Sequence, residues 1–144
     1  MFRRILVPTD GSDITAKATQ MAIALAKLHG AALCAISVKE PFPYSAISEM
    51  QPVPPQEFYD AQERIAEARV KTVVDAAAAA GVQCSGHTVE ALHAWEAILD
   101  HAKSQQCDLV VMASHGRRGV AALLLGSETS RVLTHSEVPV LVVK

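Results

Sequence analysis

The sequence is poor in aromatic residues and cysteine, nearly balanced in charge and free of long apolar runs. It has 13 basic and 15 acidic residues, and the formal net charge of -2 gives no electrostatic case for binding nucleic acid. No uncharged apolar run approaches the roughly 18 residues that cross a bilayer. The N-terminus lacks the apolar region and the small-residue cleavage site of a signal peptide. We therefore expect a cytoplasmic protein without a nucleic-acid or membrane partner.

The cysteines and histidines do not have the spacing of a metal site. The cysteines are Cys34, Cys84 and Cys107. They form no C-x-x-C pair, so we expect buried free thiols and neither a zinc site nor a redox motif. The histidines that invite a metal interpretation are His87, His93 and His101. Their spacing does not place two of them on one helix face beside a third ligand, so no metal site is predicted there.

Two common catalytic motifs are also missing. The chain has no G-x-S-x-G sequence, which excludes the usual serine-hydrolase elbow. It has no G-x-x-x-x-G-K-[ST] sequence either, and no lysine lies in the glycine loop described below. Without a positioned base or lysine, rapid phosphoryl transfer is not predicted, and weak ATPase activity is the most that we expect.

Strand and helix patterns alternate along the chain. Near-continuous apolar runs predict strands at 2–8, 31–38, 82–89, 107–113 and 138–143. Helical periodicity and capping residues predict helices at 12–29, 56–80, 91–105 and 127–135. The apolar stripe of the first helix is predicted to contain Ile14, Ala18, Met21, Leu25 and Leu28. That of the second is predicted to contain Phe58, Ala61, Ile65, Ala68 and Thr72.

This alternation predicts one α/β domain over residues 1–144. Strands that are apolar throughout are typical of a parallel sheet covered by helices on both faces, and five strands with four helices fit a doubly wound sheet. The third strand is more polar and the fifth carries Pro139 near its start, so both are placed at sheet edges. Ligands of such sheets bind at the carboxyl ends of the strands. The loops after the first and fourth strands should then face each other.

The fourth predicted strand opens into a glycine-bearing loop. The loop reads Ala113-Ser114-His115-Gly116, then nine residues, then Gly126-Ser127 at a helix start. Backbone N–H groups and a helix N-terminus form an anion site, which predicts a phosphorylated ligand. The alternative is that the glycines only turn the chain and Ser127 is an ordinary helix cap. Arg117 and Arg118 also lie in this loop. Their guanidinium groups either contact the phosphate or are charges exposed to solvent.

Three segments together resemble the universal stress protein family. They are Ile5-Leu6-Val7-Pro8-Thr9-Asp10-Gly11-Ser12, the glycine loop, and Val138-Pro139-Val140-Leu141-Val142-Val143. The resemblance covers essentially the whole chain. It implies the five-stranded fold shared with adenine nucleotide α-hydrolase-like proteins, a homodimer and a regulatory or stress-response role. In one branch of the family it also implies ATP binding between the first- and fourth-strand loops. That branch usually has glycine where this chain has Ala113, which adds a methyl group beside the ligand.

The resemblance also implies a set of binding residues for ATP, or for another adenine nucleotide, with Mg²⁺. Pro8 and Thr9 would line the floor, Asp10 would meet the ribose or a phosphate-bound Mg²⁺, and the backbone of Val38 would meet adenine. The remaining candidates are Met112, Ala113, Gly116, Arg117, Gly126, Ser127, Glu128 and Thr129. Asp10 also suits capping of the following helix. Glu128 would disfavour a nearby phosphate unless it points away, and Thr129 would offer a hydroxyl to phosphates.

Three functions stay open at this point. The chain is a nucleotide-binding regulatory protein, a dimeric interaction protein that has lost nucleotide binding, or a slow ATP hydrolase. A homodimer through 138–143 has an independent argument, because an apolar edge strand invites aggregation unless a second copy covers it. The proline-rich segment 39–55 is either a lid over the adenine side or a plain crossover loop.

Overall fold

A computed structural model describes residues 1–41, 56–117 and 125–144. The strands and helices alternate as predicted: β1 (Arg4–Pro8), α1 (Asp13–His29), β2 (Ala32–Lys39), α2 (Gln56–Ala79), β3 (Cys84–Glu90), α3 (Ala94–Ser104), β4 (Leu109–Ala113), α4 (Ser127–His135) and β5 (Val140–Val143). Within these ranges, no helix has both the length and the apolar character needed to cross a membrane.

The strands form one parallel sheet in the order β3-β2-β1-β4-β5. The chain moves outward from β1 to β3 and then returns to the other side of β1 for β4 and β5. The strand order therefore reverses between β1 and β4, and a crevice is expected at the carboxyl ends of these two strands. The predicted edge positions of β3 and β5 are confirmed.

The central strands are buried on both faces. Successive residues of β1 alternate between the two faces, so that Ile5 and Val7 pack on the side of α1 while Leu6 packs on the side of α3 and α4. All three side chains are fully buried. Burial of an aliphatic side chain of this size contributes about 1.5–3 kcal/mol relative to an exposed position. This burial holds the strand that carries Pro8 and Thr9 at its end.

Small residues form the buried face of α1. Ala18, Ala22 and Ala26 are buried against the sheet. Met21 and Leu28, which the periodicity placed on the core face, are 43% and 78% exposed. The predicted stripe is wrong at these two positions. Alanines let the helix axis come close to the sheet, and longer side chains are then directed to the flanks.

The predicted face of α2 is also wrong. Its buried residues are Ala66, Val70, Val73 and Ala77, whereas Ile65, from the predicted stripe, is 44% exposed. The helix is rotated by about one residue relative to the prediction. Apolar periodicity alone did not separate the two faces, because alanines occur on both: Ala66 and Ala77 are buried, whereas Ala68 and Ala76 are exposed.

A glycine in β3 sets how closely α2 approaches the sheet. A Cβ atom on Gly86 would lie 2.2 Å from Cγ1 of Val70 and 3.1 Å from Cγ2 of Val74. Atoms cannot approach to 2.2 Å without a shift of the helix or a change of rotamer. Gly86 therefore allows α2 to pack directly on β3.

We expect Gly86→Ala to lower the free energy of unfolding by roughly 1–3 kcal/mol, because it overpacks the α2–β3 contact. Addition of Val70→Ala should relieve the clash, so the double variant should lose less stability than the sum of the single losses. Urea unfolding measures all three variants. Gln83→Ala, at an exposed neighbouring position, is the control. An unchanged midpoint for Gly86→Ala would contradict the close approach.

Candidate functional site

The loops after β1 and β4 meet at the carboxyl edge of the sheet. The strands pair with Ile5 opposite Leu109 and Leu6 opposite Val110. Across the crevice, the backbone N–H of Arg117 donates to Oδ2 of Asp10, and Nη2 of Arg117 donates to the Asp10 carbonyl oxygen at 3.1 Å. One aspartate and one arginine thus join the two loops that the sequence singled out.

Asp10 also organises the start of α1. Its Oδ1 accepts hydrogen bonds from the backbone N–H of Ser12 at 2.9 Å and from Oγ1 of Thr15 at 3.2 Å. Ser12 is the cap residue of α1, and its side chain accepts from the backbone N–H of Thr15. Asp10 therefore supports the helix start, as the alternative interpretation expected, and at the same time contacts the β4 loop.

The Asp10 carboxyl group is ionised at neutral pH. Burial raises its pKa, but the hydrogen bonds from Ser12, Arg117 and Thr15 together outweigh burial and leave the pKa below its usual value. A half-buried anion consequently faces the crevice. It suits hydroxyl donors or a cation and would repel a phosphate placed against it.

Gly116 lies at the contact between the two loops, and Gly126 packs within the β4 loop. A Cβ atom on Gly116 would lie 2.9 Å from Oδ2 of Asp10. One on Gly126 would lie 3.1 Å from Cα of His115, and the Gly126 N–H donates to the carbonyl of Ser114 at 2.7 Å. Gly116 therefore leaves room for the Asp10 carboxylate, and Gly126 allows a close approach to the backbone of Ser114 and His115.

Arg69 of α2 is a site residue that the sequence analysis missed. A Cβ atom on Gly11, which has φ of +79°, would lie 3.1 Å from Cγ of Arg69 and 3.3 Å from Nη2 of Arg117. Burial and the neighbouring Arg117 charge lower the pKa of Arg69, while the charges of Asp10 and Glu40 oppose this. Nothing in the sequence marks Arg69 as part of this site, because its position depends on the rotation of α2.

The N-terminus of α4 faces the same loop region. Gly126 is the cap residue and has no side chain to accept from the first turn. Ser127, the first helical residue, is exposed. Helix N–H groups without a capping side chain carry partial positive charge and attract anions. The first turn of α4 at Ser127 is therefore a candidate anion site, whereas the Gly126 N–H already donates to the Ser114 carbonyl.

Two candidate ligand contacts on α4 have protein partners in the structure. Oε2 of Glu128 accepts from the backbone N–H of Trp95 at 2.8 Å, so the carboxylate points toward the start of α3. The Thr129 hydroxyl is buried and donates to the carbonyl oxygen of Ala113 at 2.9 Å. It is thus not available as a donor to phosphates. Both residues join neighbouring elements, because each donor or acceptor at a buried helix start needs a partner.

The strand-end candidates are mostly buried. Pro8 ends β1, and Thr9 is buried with its N–H donating to the Ile36 carbonyl at 2.9 Å. Val38, near the end of β2, is half-buried opposite Val89. These residues lie at the carboxyl ends of β1 and β2, with Thr9 buried and Pro8 and Val38 half-buried.

The last two residues of β4 face the core. Met112 and Ala113 are each 5% exposed and belong to core clusters on opposite faces of the sheet. The Ala113 methyl group packs in the cluster that includes Val7 and Ala18. The Ala113 side chain points into the core, so its position does not support the expectation that this methyl group crowds a ligand.

Some earlier expectations concern parts of the chain outside the described residues. Arg118 is one of them, and so is nearly all of the segment 39–55 that was considered as a lid. Residues of the first two turns of α2, with Lys39 of β2 and Glu90 of β3, line a separate cavity of about 250 Å³. Its lining includes Lys39, Asp60, Glu63 and Glu90, which is too acidic to favour a phosphate.

The fold places a thiol beside His87 and His101, a potential third ligand that the spacing along the sequence did not indicate. The fold brings their rings together with the Cys34 thiol, with all three donor atoms within 4.8 Å of one another. Cys34 and Cys107 are buried as expected, whereas Cys84 is only half-buried. The cluster joins β2, β3 and α3, so spacing along the sequence did not reveal it.

Comparison with known proteins identifies the family. The family model described as the universal stress protein family matches residues 1–144. A universal stress protein of Thermus aquaticus, encoded in the QAH/OAS sulfhydrylase 3' region, is 34% identical over 144 residues and is matched over 100% of both chains.

Solved structures agree with this assignment. The structure of the hypothetical protein MJ0577, from Methanocaldococcus jannaschii, superposes with a TM-score of 0.85 at 26% identity, covering 100% of this chain and 96% of that one. A universal stress protein crystallised in complex with cAMP gives a TM-score of 0.73 at 25% identity, with 99% and 97% coverage.

The low pKa of Asp10 predicts a pH-dependent contribution to stability. A carboxyl group whose pKa is lower in the folded state stabilises the fold above its unfolded pKa of about 4, and this contribution is lost as the pH falls toward the folded value. We expect Asp10→Asn to cost roughly 1–3 kcal/mol at neutral pH, with the difference from wild type shrinking below about pH 4. Urea unfolding at a series of pH values measures this difference in the free energy of unfolding. Asp13→Asn, at an exposed neighbour, is the control, and a pH-independent difference would count against the assignment.

Proposed function

This chain belongs to the universal stress protein family, and we propose that it binds an adenine nucleotide between the β1 and β4 loops as a dimeric regulatory protein. ATP with Mg²⁺ is the form we expect. The observation that carries the proposal is the juxtaposition of Asp10, Arg69 and Arg117 with glycine-lined backbone at the reversal of strand order. The cAMP complex of a relative supports an adenylate as the ligand class.

The phosphate end of the site is assigned to the positive groups. Arg69 and Arg117 both reach Gly11, and the uncapped start of α4 at Gly126 and Ser127 lies at the end of the same β4 loop. Guanidinium groups bind phosphate through paired N–H donors, and helix N–H groups add to this attraction. Gly116 lets the backbone come close to a ligand without a side chain between them.

The ribose end is assigned to Asp10. Its carboxylate accepts from ribose hydroxyls or holds Mg²⁺, for which carboxylate oxygens are the usual protein ligands. The backbone of Val38 is placed beside the adenine, with Pro8 and Thr9 as the floor. Bound Mg²⁺ would supply charge neutralisation for the phosphates.

The hydrogen bond between Arg117 and Asp10 suggests how occupancy is communicated. A ribose hydroxyl or Mg²⁺ that takes the Asp10 carboxylate competes with the Arg117 N–H. The β4 loop must then adjust, and this loop leads to α4 and the edge of the sheet. Ligand binding thereby alters a surface that a partner protein can bind. The ligand favours one conformation of the β4 loop over another because it makes different contacts with each.

Rapid catalysis is not part of the proposal. Within the described parts of the two loops, the carboxylate available as a base is Asp10, and its oxygens already accept three hydrogen bonds. A carboxylate with a lowered pKa is a weak general base. Hydrolysis of bound ATP is therefore expected to be slow at most.

The homodimer is assigned to β5. This strand pairs with β4 on one side, and Leu141 is 37% exposed. Pairing with the same strand of a second copy across a two-fold axis would cover the free edge. The family resemblance supports the same arrangement. A dimer without nucleotide binding is the alternative function.

Calorimetric titration with Mg-ATP tests nucleotide binding. We expect saturable binding by the wild type, and a weakening of about tenfold or more by Arg69→Ala or Arg117→Ala, because each removes a charged donor to phosphate. Arg64→Ala on the exposed part of α2 is the matched control and should bind like the wild type. Absence of binding at millimolar Mg-ATP would refute the proposal and favour the interaction-protein alternative.

Light scattering across a concentration series tests the dimer. Leu141→Lys places a charge on the proposed interface, so the dissociation constant should rise about tenfold or more. Leu92→Lys changes another exposed leucine, 76% exposed between β3 and α3, and should leave the dimer intact. A monomeric wild type at micromolar concentration, or equal effects of both substitutions, would exclude β5 as the interface.

A further inference from the structure

We propose that Cys34, His87 and His101 form a binding site for zinc, independent of the nucleotide site. The donor atoms of these residues lie within 4.8 Å of one another. Sγ of Cys34 and Nε2 of His101 are 3.4 Å apart, and the two imidazole rings have centroids 4.7 Å apart. A sulfur and two ring nitrogens are donors that zinc prefers.

The geometry is close to that of a coordinated ion. Zinc holds sulfur at about 2.3 Å and nitrogen at about 2.0–2.1 Å, so tetrahedral donors are about 3.3–3.6 Å apart. The Cys34–His101 pair already has this separation. The donor atom of His87, within 4.8 Å of the other two, must come closer by at most about 1.5 Å, a distance within the reach of a side-chain rotation.

The elements that carry the donors are fixed by the fold. Cys34 lies on β2 and is buried, with its side chain in the cluster on the side of α3. His87 lies on β3, opposite Ile36, and therefore faces the same side of the sheet as Cys34. His101 lies on α3, which covers that side. The three donors thus converge from three separate elements.

The unpartnered Nε2 atom of His87 supports the presence of a ligand site at this position. Nε2 of His87 is shielded from solvent and has no hydrogen-bond partner among the described residues. A buried polar atom without a partner costs free energy unless a ligand or a water molecule occupies the position. Both imidazole rings are half-buried, so an ion can reach the cluster from the α3–β3 edge.

Cys107, just before β4, is buried in the same core cluster as Cys34. It lies outside the three-donor cluster of Cys34, His87 and His101. On binding, a sulfur–zinc bond forms, the Cys34 thiol releases its proton to solvent, and the two imidazoles bind as neutral ligands. The fourth coordination position is open to water.

The test uses the full, untagged chain after treatment with a chelator. Titration with Co²⁺ reports thiolate coordination by a charge-transfer band and tetrahedral geometry by intense visible bands, and competition with Zn²⁺ then measures zinc affinity. We expect one ion per chain and a melting temperature raised by zinc. Cys34→Ser should abolish the charge-transfer band, and His87→Gln and His101→Gln should each weaken affinity by more than about tenfold.

Matched controls are present in the chain. Cys84→Ser removes the half-buried cysteine outside the cluster, and His93→Gln removes an exposed histidine at the start of α3 that makes no side-chain cap. Both should bind like the wild type. If Cys34→Ser fails to fold, His87→Gln on the edge strand decides the question. No cobalt uptake by the wild type, or uptake that the three cluster substitutions leave unchanged, would overturn the proposal.

Discussion

The contact between Asp10 and Arg117 is the interaction on which the candidate nucleotide site depends. The β1 loop supplies the carboxylate and the β4 loop supplies both a backbone N–H and a guanidinium, so the two loops share one hydrogen-bonded centre. The same carboxylate supports the start of α1 through Ser12 and Thr15. A change at Asp10 is therefore transmitted to a helix and to the opposite loop.

This contact exists because of how the sheet is wound. The reversal of strand order places β1 beside β4 although about 100 residues separate Asp10 from Arg117 in the chain. The apolar β1 and β4 are held from both sides by helices, with Ala22 of α1 packed on one face and Ile98 and Ala102 of α3 packed on the other. Close packing of the layers fixes the strand ends, and the strand ends fix the loops.

Much of this architecture could be predicted from the sequence. The apolar strands, the glycine loop and the edge positions of β3 and β5 follow from local composition, because continuous apolar runs and special residues such as Pro139 act over a few residues. Features that depend on the rotation of a helix about its axis could not be predicted from the sequence. The exposed Leu28, the buried Val70 and the reach of Arg69 into the site all depend on which face of α1 or α2 approaches the sheet.

The same reason explains why the protein partners of two α4 side chains and the cysteine–histidine cluster were not predicted. Glu128 and Thr129 lie at the start of α4, where sequence alone allows phosphate contacts, but tertiary partners take both side chains. Cys34, His87 and His101 belong to three elements and share no motif, so only the register of β2 and β3 and the position of α3 bring them together. A site whose residues come from separate helices and strands cannot be recognised from the spacing of those residues along the chain.

The most direct test of the central claim is to follow the backbone amide resonances of the full chain by NMR during titration with Mg-ATP. The account predicts that the largest shifts occur at Gly11, Gly116, Ser127 and their neighbours, with saturation at one nucleotide per chain. Shifts confined to the α3 side of the sheet, or no saturable shifts in the two loops, would contradict a nucleotide site between β1 and β4.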